Sequence, residues 1–311
     1  MSFRSKKSLI LGGGGFIGSH LCEALIRNKS DVGIIDNFST GSKKLLPSQV
    51  KIYNLDISSP AVKKIFRKEK PDFVFHLAGP INLRRGINDP LFEDGFNVIK
   101  GFKKILDYSQ TSKIRKLIFA SSGGAIYENA KILPTPENYI AHPLSFYGQA
   151  NLILERLLEE YYRIYKLNFI ILRLSNVYGP RQWENGVIPS FINRIKEGKP
   201  PIIYGDGQTT RDFIFIEDVI RAFLISVKSR EIGIFNVGSS KEITLDNVVK
   251  RISRILRKNI KPKYYPKKNE ITRSLLDCTR IKRQLGWKPR VDFNEGLKKT
   301  INWYLNTQNK K

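Results

Sequence analysis

Cysteine, methionine and histidine are scarce in this chain, at two, one and three of 311 residues. Cys22 and Cys278 stand in unrelated contexts, and two thiols cannot make a disulfide framework for a chain of this length. A reducing, cytoplasmic compartment is the expectation. No His/Cys spacing of a zinc site is present, so no metal is expected. Long apolar runs are missing too: none approaches the ~20 residues that span a bilayer. The basic start Arg4, Lys6, Lys7 leads into Leu9-Ile10-Leu11, but four glycines interrupt that run before it reaches secretory length. Neither secretion nor membrane spanning is expected. Acidic residues are few, 28 against 54 Lys and Arg, giving a net charge of +26. The excess is uneven, with 15 Lys and Arg between residues 250 and 290 facing only Glu270 and Asp277. Such a patch suits a phosphorylated substrate, a membrane surface or nucleic acid. A solvated Lys-rich surface is the plainer reading. No aromatic-interleaved RNA motif or helix-turn-helix supports nucleic acid, and none is expected as a partner.

What is present is a regular alternation. Ser8–Leu11, Asp31–Ile35, Val50–Tyr53, Phe73–His76, Lys116–Ala120 and Asn168–Leu172 read as short β-branched strands. Ile17–Asn28, Ala61–Arg67, Leu91–Gln110 and Phe146–Lys166 carry helical periodicity between them. Strand, helix, strand repeated in this way predicts an α/β fold, a doubly wound parallel Rossmann sheet covered on both faces. Beyond about residue 180 the pattern breaks into short strands and separate helices, at Val187–Lys196, Ile216–Ser226, Leu245–Arg257, Thr279–Leu285 and Asn294–Tyr304. No linker or repeat separates the two parts, so a smaller C-terminal substrate lobe is expected to interleave with the first. Residues 1–175, with 211–238 returning, make the dinucleotide-binding domain, and 176–210 with 239–311 make the lobe.

The strongest chemical signal is Leu9-Ile10-Leu11-Gly12-Gly13-Gly14-Gly15-Phe16-Ile17-Gly18. A strand runs into Gly12-x-x-Gly15-x-x-Gly18 and a helix follows, so a pyrophosphate can rest on the free N–H groups of the helix start. The next strand ends in Asp36, where a carboxylate can accept from an adenosine ribose and repel a 2′-phosphate. That combination favours NAD over NADP.

The ordered motifs extend almost end to end: GGGGFIGSHL, DNFSTG, LDI, FHLAG (75–79), LRLSNVYGPRQ (172–182), GDGQTTRDFIFIEDV (205–219) and LGWKP (285–289). The chain thereby resembles an extended short-chain dehydrogenase/reductase of the NAD-dependent nucleotide-sugar epimerase/dehydratase group, typified by UDP-glucose/UDP-galactose 4-epimerase. The resemblance implies NAD contacts at Gly12, Gly15, Phe16, Ile17, Gly18, Asp36, Asn37, Ser39, Asp56, Ile57, Leu77, Ala78, Gly79, Asn97, Ser121, Tyr147 and position 151. It places Asn176, Val187, Tyr204, Arg211, Lys267, Arg273 and Ser274 around a nucleotide sugar. Arg211 can reach a diphosphate bidentately or pair with Asp212; Asn176 can donate to a phosphate or cap a loop. Arg273 is a nucleotide contact or one more solvated charge. A small residue at Ser274 would admit an N-acetyl group at the sugar 2-position, which tilts the substrate towards UDP-N-acetylhexosamines.

The stretch SFYGQAN (145–151) departs from the family pattern. Relatives carry Tyr-x-x-x-Lys on one helix face; the tyrosine takes the proton of the sugar 4-hydroxyl while hydride passes to the nicotinamide, and the lysine lowers its pKa and binds the ribose. Rotation of the 4-keto intermediate before hydride returns gives net epimerisation. Here Tyr147 remains, Asn151 stands in place of the lysine, and SSGGAIY (121–127) leaves Ser122 as the nearest hydroxyl, Ser121 being the structural one of the pair. A free tyrosine with pKa near ~10 is phenolate in only about one molecule in a thousand at neutral pH. If lysine lowers that value by about two to three, its loss raises the barrier by roughly 3–4 kcal/mol. Two readings follow: an NAD-dependent nucleotide-sugar 4-epimerase of impaired or modified mechanism in polysaccharide precursor supply, or a catalytically silent NAD- and nucleotide-sugar-binding partner or regulatory protein. Tyr147 could also be a helix-packing aromatic. Dehydration is disfavoured, because Gly-Gly-Ala stands where dehydratases carry Thr-Asp-Glu.

Asp246–Asn259 is a basic amphipathic helix, with Val248, Val249, Ile252, Ile255 and Leu256 opposite Lys250, Arg251, Arg254 and Arg257. Docking of its apolar face on the core is preferred over peripheral contact with an anionic membrane. The resemblance also implies a homodimer, paired through Leu91–Gln110 and Phe146–Lys166 into a four-helix bundle.

Overall fold

The computed structural model describes residues 6–79, 91–128, 130–182, 186–266 and 271–308. Its first half alternates β1 (Lys7–Leu11), α1 (Phe16–Arg27), β2 (Asp31–Asp36), β3 (Lys51–Asn54), α2 (Val62–Glu69), β4 (Phe73–His76), α3 (Leu91–Thr111), β5 (Lys116–Ser122), α4 (Gly123–Ile126), α5 (Phe146–Tyr165) and β6 (Phe169–Leu174). There follow β7 (Asn176–Tyr178), α6 (Val187–Lys196), β8 (Ile202–Tyr204), β9 (Thr210–Phe215), α7 (Ile216–Lys228) and β10 (Gly233–Val237). β11 (Glu242–Thr244), α8 (Leu245–Leu256), β12 (Lys263–Tyr265), α9 (Thr279–Leu285) and α10 (Phe293–Gln308) complete the chain.

Seven strands form one parallel sheet in the order β10-β6-β5-β4-β1-β2-β3. The α/β doubly wound class read from the alternation is the one observed. Side chains alternate through the sheet, so Ile10, Phe75, Ile118 and Ile170 enter one apolar core while Leu9, Leu11, Val74 and Leu117 enter the other. Strand order reverses between β1 and β4. A crevice opens there at the carboxyl ends of the strands, the general position of ligands in such sheets.

The later segments pack on this frame. β9 lies between β7 and β11, β12 pairs with β8, and β10 returns to the edge of the main sheet beside β6. Two buried carboxylates fasten them. Asp212, fully buried, accepts from Ser239 N and Oγ, both at 2.7 Å, and from Ser240 N at 3.3 Å. Asp218 accepts from the N–H groups of Arg290 and Val291 at 3.1 Å, and Trp287 Nε1 donates to its carbonyl at 3.0 Å. That is the physical content of EDV and LGWKP: one aspartate holds the turn that follows a buried tryptophan. The amphipathic α8 buries Val248, Val249 and Ile252 in the core, the preferred arrangement. Among the described residues no helix is long and apolar enough to cross a membrane.

Candidate active site

A cleft of about 650 Å³ lies at the reversal point, walled by the ends of β1, β2, β4 and β5, the start of α1 and one face of α5. Its floor is the glycine loop. Gly12 has φ +83° and faces the backbone of Ala78 so closely that a Cβ would stand 2.7 Å from Ala78 N. A Cβ on Gly18 would meet Gly12 O at 2.2 Å. These approaches leave room only for glycine. Gly15 caps α1 without a side-chain bond, and the first-turn N–H groups at Phe16 and Ile17 have no intrahelical acceptor. With the dipole of α1 behind them they form an anion seat.

Asp36 is buried, accepting from Gly14 N through Oδ2 and from Phe38 N through Oδ1, both at 2.7 Å. Each oxygen keeps a lone pair for an outside donor. Beside it Asn37 Nδ2 donates to Asp56 at 2.8 Å, Ser39 N to Asn37 Oδ1 at 3.0 Å, and Ser58 N to Asp56 at 2.8 Å. Burial alone would push the Asp56 carboxyl up; the bonds from Ser58 and Asn37 outweigh it and hold the pKa below the ordinary value. Carboxylates thus stand at one end of the cleft and unpaired peptide N–H groups in its middle. The residues present fit an adenine dinucleotide.

The other end belongs to α5. Ser145 caps it by accepting from Gly148 N at 3.1 Å, and Glu128 takes up Leu144 N, Ser145 N and Ser145 Oγ. Gly148 lets the helix touch α4, since a Cβ there would stand 2.4 Å from Ala125 O. Tyr147, Ala150, Asn151 and Leu154 consequently share one face and line the cleft. Asn151 is almost fully buried, and its Nδ2 donates to Tyr147 O at 2.8 Å. The amide is turned back onto its own helix. No Lys, Arg or His occurs among the described residues that line the cleft, and Asp36 and Asp56 are the only charged ones. Among the described residues that line the cleft, none supplies the positive charge that relatives take from the lysine.

Behind this face lies a network that the sequence did not reveal. Ser121, which lines the cleft, donates to Glu155 Oε1 at 2.5 Å. Glu155 and Arg173, both buried, form a salt bridge at 2.6 Å. Arg173 also donates to Tyr127 Oη at 2.5 Å and to Glu137 O at 3.2 Å, and Tyr127 donates to Asn236 Oδ1 at 3.1 Å. Burial opposes the Arg173 charge, but Glu155 more than offsets it and raises the guanidinium pKa. Burial pushes the Tyr127 phenol up to about 12 against the pull of Arg173. At the end of β4, His76 is completely buried against Phe102 and Phe119, and burial lowers its pKa to about 3.

Every residue expected to contact NAD borders this cleft, as does Ser122, which caps α4 at Ala125 N. The cleft also involves Thr40, Val98, Ala150, Leu154, Ser175 and Val177, which sequence reading missed; the i, i+3, i+7 spacing from Tyr147 could have supplied Ala150 and Leu154. The residues expected around a nucleotide sugar lie elsewhere. Asn176 follows β6 and its Oδ1 is buried without a hydrogen-bond partner. Val187 opens α6, and Tyr204 ends β8, its ring 5.9 Å from that of Tyr265. Arg211 donates to Thr210 O from β9, whose alternation turns it away from the buried Asp212. Arg273 is exposed and paired with Glu242 at 2.6 Å, Ser274 is buried, and Lys267 lies outside the described residues.

Comparison with known proteins locates this arrangement. The model of the NAD dependent epimerase/dehydratase family matches residues 8–238. A putative UDP-glucose 4-epimerase of Methanocaldococcus jannaschii is 37% identical over 302 residues, covering 96% of this chain and 98% of that protein. The UDP-glucose 4-epimerase of Thermotoga maritima, solved with UDP-glucose, superposes with a TM-score of 0.94 at 37% identity, over 97% of this chain and 99% of that one. The UDP-N-acetylglucosamine 4-epimerase of Methanobrevibacter ruminantium, solved with UDP-N-acetylmuramic acid, gives 0.92 at 34% identity, again over 97% and 99%.

Proposed function

Since the chain belongs to the NAD dependent epimerase/dehydratase family, we propose that it is an NAD-dependent 4-epimerase of UDP-hexoses or UDP-N-acetylhexosamines. The observation that carries this reading is the convergence of the glycine loop, Asp36 and Tyr147 on one cleft. Bound NAD would supply a reversible hydride acceptor for the sugar C4.

The residues of the chain then divide the remaining work. Phe16 and Ile17 N–H groups hold the pyrophosphate, and Asp36 and Asn37 hold the adenosine ribose. Tyr147 Oη takes the 4-hydroxyl proton and gives it back after the 4-keto sugar has turned over. Ser122 offers the second hydroxyl to that oxygen. Asn151 gives no charge; the second N–H of its Nδ2, the one not given to Tyr147 O, donates to the nicotinamide ribose. Asn176, Val187, Tyr204, Arg211, Lys267, Arg273 and Ser274 hold the nucleotide sugar. Two copies pair through α3 and α5, which already pack together and leave Ile153, Ile164 and Tyr165 of α5 exposed for a partner. A cytoplasmic site of action agrees with two free, buried thiols.

The deciding experiment is an NMR time course with UDP-glucose and with UDP-N-acetylglucosamine, for the natural sequence beside Asn151→Lys. Formation of the 4-epimer by the natural sequence supports the reading, with Asn151→Lys faster by about a hundred- to thousandfold. Bound NAD and UDP-sugar with turnover only in Asn151→Lys would overturn it in favour of a binding protein.

A further inference from the structure

A second concavity, of about 580 Å³, runs along α8 and the Asn259–Tyr264 segment, apart from the cofactor cleft. Lys250, Arg254, Arg257, Lys258 and Lys261 line it, all exposed, and no described carboxylate pairs with any of them. Asp246, the one acid among the described residues that line it, is taken up by neutral donors, Tyr264 Oη at 2.9 Å and Gln208 Nε2 at 3.3 Å. We propose that this groove is a docking surface for an anionic phospholipid bilayer.

Three observations favour a bilayer over other anions. The apolar stripe of α8 is buried, so the helix neither inserts nor rolls, and its cations are held outward on a fixed face. The groove adjoins the C-terminal end of α8, where the negative end of the helix dipole opposes a small phosphate seated on the axis; a broad anionic surface meets the side chains that reach past it. Tyr264 and Tyr265 flank the cations, both exposed and both carrying a polar tip on an apolar ring, which suits the headgroup layer. Tyr265 is already engaged by the Tyr204 ring and by the Lys263 ammonium at 5.2 Å, so it is no free platform for stacked bases. The surface is electrostatic and reversible, and independent of the reaction assigned to the cleft.

The test is cosedimentation of the intact protein with phosphatidylcholine vesicles, with and without phosphatidylglycerol, at about 0.1 M salt. Binding is expected only to the anionic vesicles. Each cation removed should weaken it about fivefold, so Arg254→Ala/Lys261→Ala should bind roughly 25-fold more weakly, and Lys250→Ala/Arg257→Ala likewise. Both doubles keep the buried stripe and should retain the parental Tm and NAD affinity. Equal binding to neutral vesicles, undiminished binding by both folded variants, or tighter binding to a single-stranded RNA oligomer than to the anionic vesicles would each overturn the proposal.

Discussion

The two halves of the site are built differently. The cofactor half is lined by one continuous wall of glycine loop, strand ends and the α5 face, and the charged groups behind it are buried and fully mated, Glu155 with Arg173 above all. The residues assigned to the sugar nucleotide come from separate elements, and one of them, Arg273, is an exposed side chain held by Glu242. A cradle for a constant cofactor can be preorganised, whereas Arg273, assigned to a ligand that must enter and leave, sits in a solvent-facing pair that exchanges partners at small cost.

Removing one partner of the buried pair should break this contrast most strongly. Glu155→Ala leaves Arg173 uncompensated and should cost about 3–5 kcal/mol, read from urea unfolding, with NAD binding lost alongside stability. Loss below about 1 kcal/mol would show that the network does not support the wall.

Acidification should sharpen it next. The folded His76 pKa of about 3 lies below the unfolded value of 6.5. The stability this contributes is present above pH 6.5 and is lost as pH falls towards 3, because the unfolded chain takes up the proton first. Between neutrality and about pH 4 the loss should reach roughly 3 kcal/mol, and His76→Phe should abolish that part of the slope. An unchanged slope would remove His76 from the account.

The smallest effect is expected in the other half. Glu242→Gln should leave Tm unmoved while freeing Arg273, tightening UDP binding about two- to fivefold by calorimetry. A large drop in Tm would mean that Glu242 is structural and the contrast between the halves is wrong.

What was legible in the sequence follows the same division. GGGGFIG, Asp36 and the Tyr147–Asn151 spacing are local, and a turn or one helix face brings such residues together whatever the rest does. Glu155 and Arg173 were hidden because they stand on different elements 18 residues apart, and neither lies in a pattern that marks burial. Asp212 was considered only as a partner for Arg211; strand alternation and a loop 27 residues later made it a buried anchor instead.

By itself the sequence determined the parallel α/β frame, the dinucleotide loop and the Asn at the fourth position after Tyr147, since each depends on residues within a few turns of one another. Tertiary structure alone decided that the Asn151 amide bonds back to Tyr147 O and that no described cation enters the cleft wall to replace the missing charge. It also decided that α8 buries its apolar stripe and keeps its basic face outside. The physical reason is common to these outcomes: which groups are desolvated, and which charges meet, depends on segments far apart in the chain.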